Sequence, residues 1–324
     1  MAQVGERALI RSLEKYFSPQ SRSLLIAAPN DDAALWRGDR FVVATTDSMV
    51  EDIDFRLDWH GFDFRLLGRR LVSINLSDLA GMGAEPRHAL ISLCLRASMR
   101  VKDLERLYLG IAEQAQRFGC TIAGGDMSET HGPITLTASA IGRVASAARV
   151  LKREGARPGW KIAVTGMLGG AAAGLRLLEA GRPPRTRIER GWVEALLDPQ
   201  PQVAAGKALI QAGVRVGGDI SDGLYREIQR LVEPSGVGAT IDIDALPLAR
   251  GLDAKEWRLG AQDSEDFELI CAGPGSRLAS AQAALTRSGT RLTVVGQIDR
   301  EPGIRLRDAG RLVRLSKAGY EHFR

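Results

Sequence analysis

Five acidic segments occupy turn-like points along this chain of 324 residues. They read PNDDAA, VATTDS, INLSDLAGMGA, TIAGGDMS and GGDISDGL, and four of them interrupt or end an apolar run. A carboxylate at the end of a buried strand is costly unless another group compensates its charge. If the five segments converge, hard divalent cations are the natural compensation. The first interpretation is therefore a Mg²⁺ site that acts on a phosphate substrate.

The composition is that of an ordinary globular protein, with 44% hydrophobic and 26% charged residues, and the length is sufficient for two domains. Three cysteines without a Cys-x-x-Cys pair and only four histidines favour neither a disulfide framework nor a zinc site, and they fit a reducing cytoplasm. The net charge of +5 comes from scattered basic residues with 5% aromatics, which argues against nucleic-acid binding. We expect neither a signal peptide nor a membrane span.

The hydrophobic pattern mixes helices and strands without a clean βαβ alternation, so an α+β fold is favoured over a doubly wound sheet. Helices are predicted at residues 5–17, 62–82 and 102–118, between 170 and about 213, and from near 222 onwards. Strands are predicted at 24–28, 41–45, 89–95, 121–123, 134–141, 161–165, 215–220, 239–243, 267–272 and 292–298. The charged, Gly- and Pro-rich stretch 151–159 predicts a boundary between domains 1–150 and 151–324.

Asp78 provides the most specific argument that the residues offer by themselves. On a helix, Leu71, Ile74, Asn75, Asp78 and Met82 lie along one face. That face is otherwise apolar, so Asn75 and Asp78 are expected to point towards buried surface. An Asp that ends a helix by bonding to nearby backbone explains the same pattern.

The other acidic segments supply oxygen ligands, and each also has a local structural explanation. They comprise Asp31-Asp32, Thr45-Thr46-Asp47, Gly125-Asp126 and Asp219-Ile-Ser-Asp222. The Asp31-Asp32 pair could form a simple turn. Residues 45–47 and 219–222 could cap the segments that follow them. The Gly125-Asp126 segment could be a plain hairpin turn, or its glycines could let a phosphate approach the backbone.

Taken in order, PNDDAA, TTDSMVEDIDF, NLSDLAGMGAEP, GGDMS, LKREGARPG, VTGMLGGAAAGL, DISDGL, SEDFEL and GYEHF resemble the thiamine-monophosphate kinase family over nearly the whole chain. The resemblance implies an N-terminal domain like that of aminoimidazole ribonucleotide synthetase, pairing across a homodimer, and a C-terminal α/β domain that completes the active site. It also implies phosphoryl transfer from ATP to thiamine monophosphate, on several Mg²⁺ ions, to give thiamine diphosphate.

Motif by motif, the resemblance implies three sets of site residues. Those that would hold Mg²⁺ are Asp32, Thr45, Thr46, Asp47, Asp78, Asp126, Asp219 and Asp222. Those that would contact ATP are Thr46, Gly125, Asp126, Arg153 and Ser221. Those that would meet the thiamine end are Asp54, Glu265 and Tyr320. No further catalytic residue is assigned, because no activated nucleophile stands out and direct transfer on metals needs none.

The chain departs from the family pattern at two of these motifs. Asn30 stands where the family usually has Gly before the first Asp pair. Asp263-Ser264 stand where it usually has Gly-Gly before Glu-Asp, which adds charge and bulk beside the expected substrate loop. Two alternatives therefore stay open: another ATP-using enzyme of the same superfamily, and a non-catalytic nucleotide-binding relative.

Overall fold

The computed structural model describes residues 24–26, 33–37, 41–262, 264–287 and 289–315, which form two mixed α/β units. The strands are β1 Leu24–Ile26, β2 Ala34–Arg37, β3 Phe41–Val50, β4 Glu85–Leu95, β5 Thr121–Glu129, β6 Thr135–Val144, β7 Lys161–Thr165, β8 Val216–Ile220, β9 Gly238–Asp242, β10 Glu268–Gly273, β11 Leu292–Asp299, β12 Gly303–Asp308 and β13 Arg311–Val313. The helices are α1 Phe64–Gly81, α2 Val101–Arg117, α3 Gly170–Glu179, α4 Arg187–Leu197, α5 Val203–Gln211, α6 Leu224–Val232, α7 Arg258–Ala261 and α8 Gly275–Arg287. The α+β prediction is confirmed.

Among the residues that the structure describes, the first sheet has six strands in the order β1-β2-β3-β6-β4-β5, and only the β4–β5 pair is parallel. Alternate residues of β6, among them Leu136, Ala138 and Ala140, are buried against the core, as expected for a sheet covered on one face. α1 and α2 pack against each other, and α1 packs on this sheet. The helices predicted at 62–82 and 102–118 are therefore confirmed, whereas the helix predicted at 5–17 lies outside the described residues.

Two strands of this sheet run further than the sequence predicted. β3 continues through residues 45–47 to Val50, because its whole length pairs with β6. β5 continues through residues 124–126 to Glu129, because it pairs in parallel with β4. A parallel pair needs a long crossover, which here contains α2. The explanations of residues 45–47 as a helix cap and of 124–126 as a hairpin turn are therefore both wrong.

In the described part of the chain, the second sheet has seven strands in the order β13-β12-β9-β11-β7-β10-β8, with β9 and β12 the only parallel neighbours. The strands predicted at 161–165, 215–220, 239–243, 267–272 and 292–298 are confirmed within one or two residues. The sequence pattern did not predict β2, β12 and β13, which are short or interrupted by charge, nor the helices α7 and α8. No helix in the described ranges is both long and apolar enough to cross a bilayer.

α1 lies between the two domains and positions the candidate site. On one side, a Cβ built on Gly68 would lie 2.1 Å from the Leu107 carbonyl oxygen, so α1 and α2 touch through their backbones. On the other side, a Cβ on Gly206 of α5 would lie 2.2 Å from the Ala80 carbonyl oxygen. α1 is thus held closely by both domains, and polar side chains on its last turns are fixed at their junction.

Candidate active site

Asp47 lies at the centre of the candidate site, in the middle of β3. Its backbone N–H donates to Asn75 Oδ1 on α1 at 3.1 Å. Its carboxyl forms a side-chain hydrogen bond with Asp78, and the Thr45 hydroxyl donates to Asp78 Oδ2 at 2.5 Å. Asn75 is 1% exposed, as predicted for the apolar face of this helix. β3 and α1 therefore bring Thr45, Asp47 and Asp78 together.

Negative charge from both domains accumulates around this point. Burial raises the pKa of the Asp47 carboxyl, and the charges of Asp222 and Asp54 raise it further, while the hydrogen bond with Asp78 lowers it. Acids held together in this way resist ionisation unless a cation joins them. A cation bound beside Asp47 would offset this cost.

The C-terminal domain contributes Asp219 and Asp222. Asp219, in β8, is 1% exposed, and its Oδ2 accepts the hydroxyl proton of Ser77 on α1 at 2.7 Å. Asp222 precedes α6 and accepts from Arg230 at 2.7 Å. The N-cap of α6 is Gly223, which makes no side-chain capping bond. The alternative in which this segment is only a helix cap is therefore wrong.

Arg153 and Ser221 lie beside this acidic pair. Arg153 Nη2 donates to Glu227 Oε2 at 3.3 Å, and Glu227 also pairs with Arg230, which links the group to Asp222. Burial raises the pKa of Glu227, and the two guanidinium groups lower it. Ser221 is partly exposed in the turn that follows β8. Arginines in such a position suit recognition of a polyphosphate.

The two acids expected at the thiamine end approach each other from different domains. Asp54 lies in the loop after β3, where its Oδ2 accepts the backbone N–H of Val50 at 2.7 Å. Glu265 lies in the segment before β10, and 40% of its side chain is open to solvent. Arg70 stands between them and bonds to both residues. Burial raises the pKa of Glu265, and Arg70 lowers it.

Sequence reasoning missed Arg70, although a signal was present. Leu67, Leu71 and Ile74 define the apolar face of α1, and Arg70 falls within that stripe at a three- and four-residue spacing. A basic residue inside an apolar stripe must find buried partners. The same reasoning would have indicated the buried Glu227 on α6.

Asp126 does not join the group around Asp47 within one chain. It lies on β5, three strands from β3, which corresponds to roughly 14 Å at the usual strand spacing. Its carboxylate is exposed and accepts from the Ser128 hydroxyl at 3.2 Å. A Cβ on Gly125 would lie 1.8 Å from the Ile91 carbonyl oxygen, so the approach of β4 accounts for this glycine.

Thr46 points to the face of β3 opposite Thr45 and Asp47, as strand alternation requires. Its hydroxyl donates to the Ala138 carbonyl oxygen at 3.0 Å and accepts from Ser139 at 3.0 Å. The two remaining predicted residues, Asp32 and Tyr320, lie outside the part of the chain that the structure describes.

The donor set fits Mg²⁺ acting together with a phosphate substrate. Within the described ranges, no three Asp, Glu, His or Cys side chains close around a single ion position. Structural zinc requires such a closed group, whereas Mg²⁺ is commonly held by one or two carboxylates with waters and substrate phosphates. The spread carboxylates and the Thr45 hydroxyl are hard oxygen donors of this second kind.

Glu268, at the start of β10, is a further acid and is partly buried. Its Oε2 accepts from the Thr165 hydroxyl at 2.5 Å and its Oε1 from Gln202 at 3.3 Å. Burial raises its pKa to about 8, with a smaller contribution from the charge of Asp266, and the Thr165 bond opposes the shift. A carboxyl with a raised pKa stabilises the folded state fully below its unfolded pKa. That contribution is lost as pH rises through the folded value.

Replacing Glu268 by Gln should therefore remove a pH-dependent loss of stability. Between pH 5 and pH 8, the free energy of unfolding of Glu268→Gln should improve relative to wild type by roughly 3 kcal/mol, because the buried ionisation no longer occurs. Urea unfolding of both proteins at each pH unit measures the difference. The other acids titrate in the same way in both proteins, so their contributions cancel in the difference between the two free energies of unfolding. A difference that stays constant across this range would contradict the assignment.

Two family models describe the chain in succession. The N-terminal domain of AIR synthase related protein matches residues 30–144, and the C-terminal domain matches residues 157–309. The fold and the site thus define a two-domain protein of the AIR synthase-related class. A solved structure of E. coli HypE, a hydrogenase maturation protein, shares the fold with a TM-score of 0.70 at 22% identity, covering 96% of this chain and 97% of that one.

Sequence relatives specify the family further. Thiamine-monophosphate kinase of Bacillus subtilis is 30% identical over 306 residues, covering 91% of this chain and 92% of that protein. The Salmonella typhimurium enzyme of the same name is 30% identical over 331 residues, covering 98% of each. The chain belongs to the thiamine-monophosphate kinase family. A solved structure of AaThiL complexed with AMPPCP and TMP has a TM-score of 0.84 at 26% identity, covering 99% of this chain and 98% of that one.

Proposed function

We propose that the protein transfers a phosphoryl group from ATP to the phosphate of thiamine monophosphate, giving ADP and thiamine diphosphate. The observation that carries the proposal is the convergence of acids from both domains on Asp47, in a member of the thiamine-monophosphate kinase family. The resemblance to a structure complexed with AMPPCP and TMP supports this choice of donor and acceptor.

Carboxylate and hydroxyl side chains would hold Mg²⁺ in this proposal. Those on β3 and α1 are Thr45, Asp47 and Asp78, those on β8 and the turn after it are Asp219 and Asp222, and Asp32, Thr46 and Asp126 complete the proposed set. When bound, Mg²⁺ supplies positive charge that offsets the phosphate oxygens. The chain itself fixes the acids on rigid elements, so little reorganisation is needed when the substrates arrive.

The remaining residues would orient the two substrates. Arg153 and Ser221 would contact ATP together with Thr46, Gly125 and Asp126, and the guanidinium would meet phosphate oxygens. Asp54, Glu265 and Tyr320 would meet the thiamine end, where carboxylates and an aromatic face suit a thiazolium cation. Holding both phosphates in one geometry makes transfer effectively unimolecular.

Phosphorus NMR of the purified protein with ATP, Mg²⁺ and thiamine monophosphate tests the proposal directly. We expect thiamine diphosphate to appear with an equal amount of ADP. Omission of Mg²⁺ and omission of thiamine monophosphate are the matched controls, and each should prevent formation of the product.

Absence of product from folded protein would overturn this function. Calorimetry with a non-hydrolysable ATP analogue would then distinguish the two alternatives. Binding of the analogue together with turnover on another acceptor would indicate a different ATP-using enzyme of the superfamily. Binding without turnover would indicate a non-catalytic relative.

The proposal includes two domains, 1–150 and 151–324, in a cytoplasmic homodimer. β5 is an edge strand with exposed backbone, and Met127 on it and Leu90 on β4 are about half exposed, which supports pairing with a second copy along this edge. Such pairing would also cover Asp126. Sedimentation equilibrium should give twice the chain mass of 35.0 kDa, and a monomer would contradict the dimer.

A further inference from the structure

Arg70, on α1, is almost completely buried: only 2% of its surface is exposed to solvent. It lies between the residues proposed to meet the thiamine end of the substrate. A guanidinium carries five N–H donors and a permanent charge, so burial is costly unless carboxylates and carbonyls surround it. The hydrogen-bond partners of Arg70 therefore indicate which parts of the protein this side chain positions.

The guanidinium joins two loops from different domains. Nη1 donates to the backbone carbonyl oxygen of Asp54 at 2.8 Å, and Nη2 donates to Glu265 Oε2 at 2.9 Å. Nε is buried and finds no hydrogen-bond partner among the described residues. A buried donor left unsatisfied reduces stability, so stability alone does not account for arginine at this position.

Arg70 also balances the negative charge of Asp54 and Glu265 at the junction of the two domains. The carboxylates of Asp54 and Asp222 repel that of Glu265, and Arg70 is the cation that opposes them. Asp222 is paired with Arg230, so with both remaining acids ionised Asp54, Glu265 and Arg70 together carry one net negative charge. A ligand with a single positive charge, such as a thiazolium ring, would neutralise it.

We propose that Arg70 is a positioning residue for the cationic end of the substrate. It holds the Glu265 carboxylate and the loop that carries Asp54 in fixed positions across the domain junction, so that both acids face the same ligand. The inference rests on the proposed kinase function and deepens it. Arg70 acts through Glu265 and is not itself expected to touch the reacting phosphates.

The neighbouring Arg69 provides a matched control on the same helix. It forms a salt bridge with Asp198 of the C-terminal domain at 2.8 Å, so it also ties α1 to that domain. Its Nε also donates to Asp198 Oδ1 at 2.9 Å, and among the described residues it forms no hydrogen bond with Asp54 or Glu265. Loss of Arg69 therefore reproduces the loss of an interdomain ion pair without disturbing the thiamine end.

Steady-state kinetics of Arg70→Met and Arg69→Met should separate positioning from general stabilisation. We expect Arg70→Met to raise KM for thiamine monophosphate by about tenfold or more, with KM for ATP and kcat changed by less than about threefold. Arg70→Lys, which keeps the charge but can reach only one partner well, should restore part of the loss. Arg69→Met should leave both KM values near wild type.

A double-mutant cycle tests whether Arg70 acts through Glu265. Glu265→Gln alone should raise KM for thiamine monophosphate, and adding Arg70→Met should raise it little further. Independent, multiplicative effects would overturn the positioning role, as would equal increases in KM for both substrates. If Arg70→Met does not fold, the same cycle with Arg70→Lys tests whether Arg70 acts through Glu265. Absence of turnover in wild type would instead overturn the kinase function itself, and this inference with it.

Discussion

Replacing Asp47 by Asn is expected to lower kcat by roughly a thousandfold, the loss seen when a preorganised charge at a reacting centre is removed. The side chain keeps its shape, so the contacts between β3 and α1 should persist. Thermal stability of the metal-free protein should stay equal or rise. Burial and the charges of Asp222 and Asp54 all oppose ionisation of Asp47, and Asn removes that penalty. A substitution that lowers activity while it preserves or raises stability is characteristic of a functional site.

The control for this variant is Asp58→Asn in the same domain. Asp58 is 68% exposed and pairs with Arg56 at 2.9 Å, so its loss changes net charge equally and should leave kcat near wild type. Thermal melts with and without MgCl₂ give a second measurement. The Mg²⁺-dependent increase in Tm should diminish in Asp47→Asn and persist in Asp58→Asn. A near-normal kcat in Asp47→Asn would remove the basis for the metal assignment.

Replacing Gly110 by Ala should have the largest effect on folding stability. The added Cβ would lie 1.9 Å from the Arg65 carbonyl oxygen, in the backbone contact between α2 and α1. Carbon and oxygen cannot approach so closely, and both atoms belong to rigid helices, so the helices must separate. We expect a loss of about 3 kcal/mol, near the upper end for overpacking. Because α1 carries Asn75 and Asp78, its displacement should also reduce turnover.

Gly191→Ala is the matched control for this second prediction. Gly191 lies inside α4, and a Cβ there would meet no atom within 4 Å. Alanine should stabilise that helix by about 0.5–1 kcal/mol through its better helix propensity. Thermal unfolding of the two variants should therefore shift Tm in opposite directions. A similar Tm for both would contradict the backbone contact between α1 and α2.

Local periodicity was sufficient to predict α1, α2 and most strands, because these elements bury one face against a core and their sequences repeat accordingly. It was insufficient for β12 and β13, which lie at the edge of the second sheet and bury little. β12 pairs with β9, which is distant along the chain, and β13 pairs in turn with β12. Strand pairing likewise extended β3 and β5 through residues that resemble turns.

In the candidate site too, the sequence predicted some features and the tertiary structure decided the others. The sequence by itself determined which residue types are available: hard oxygen donors at Asp47, Asp78, Asp219 and Asp222, in an order that matches one family. Only the tertiary structure decided that Asp47 hydrogen-bonds to Asp78 and feels the charge of Asp222, that Asp126 lies three strands away, and that Arg70 joins Asp54 to Glu265. The physical reason is that periodicity records which face of an element is buried. Charge compensation and cross-domain contacts depend on distances that the order of residues does not encode locally.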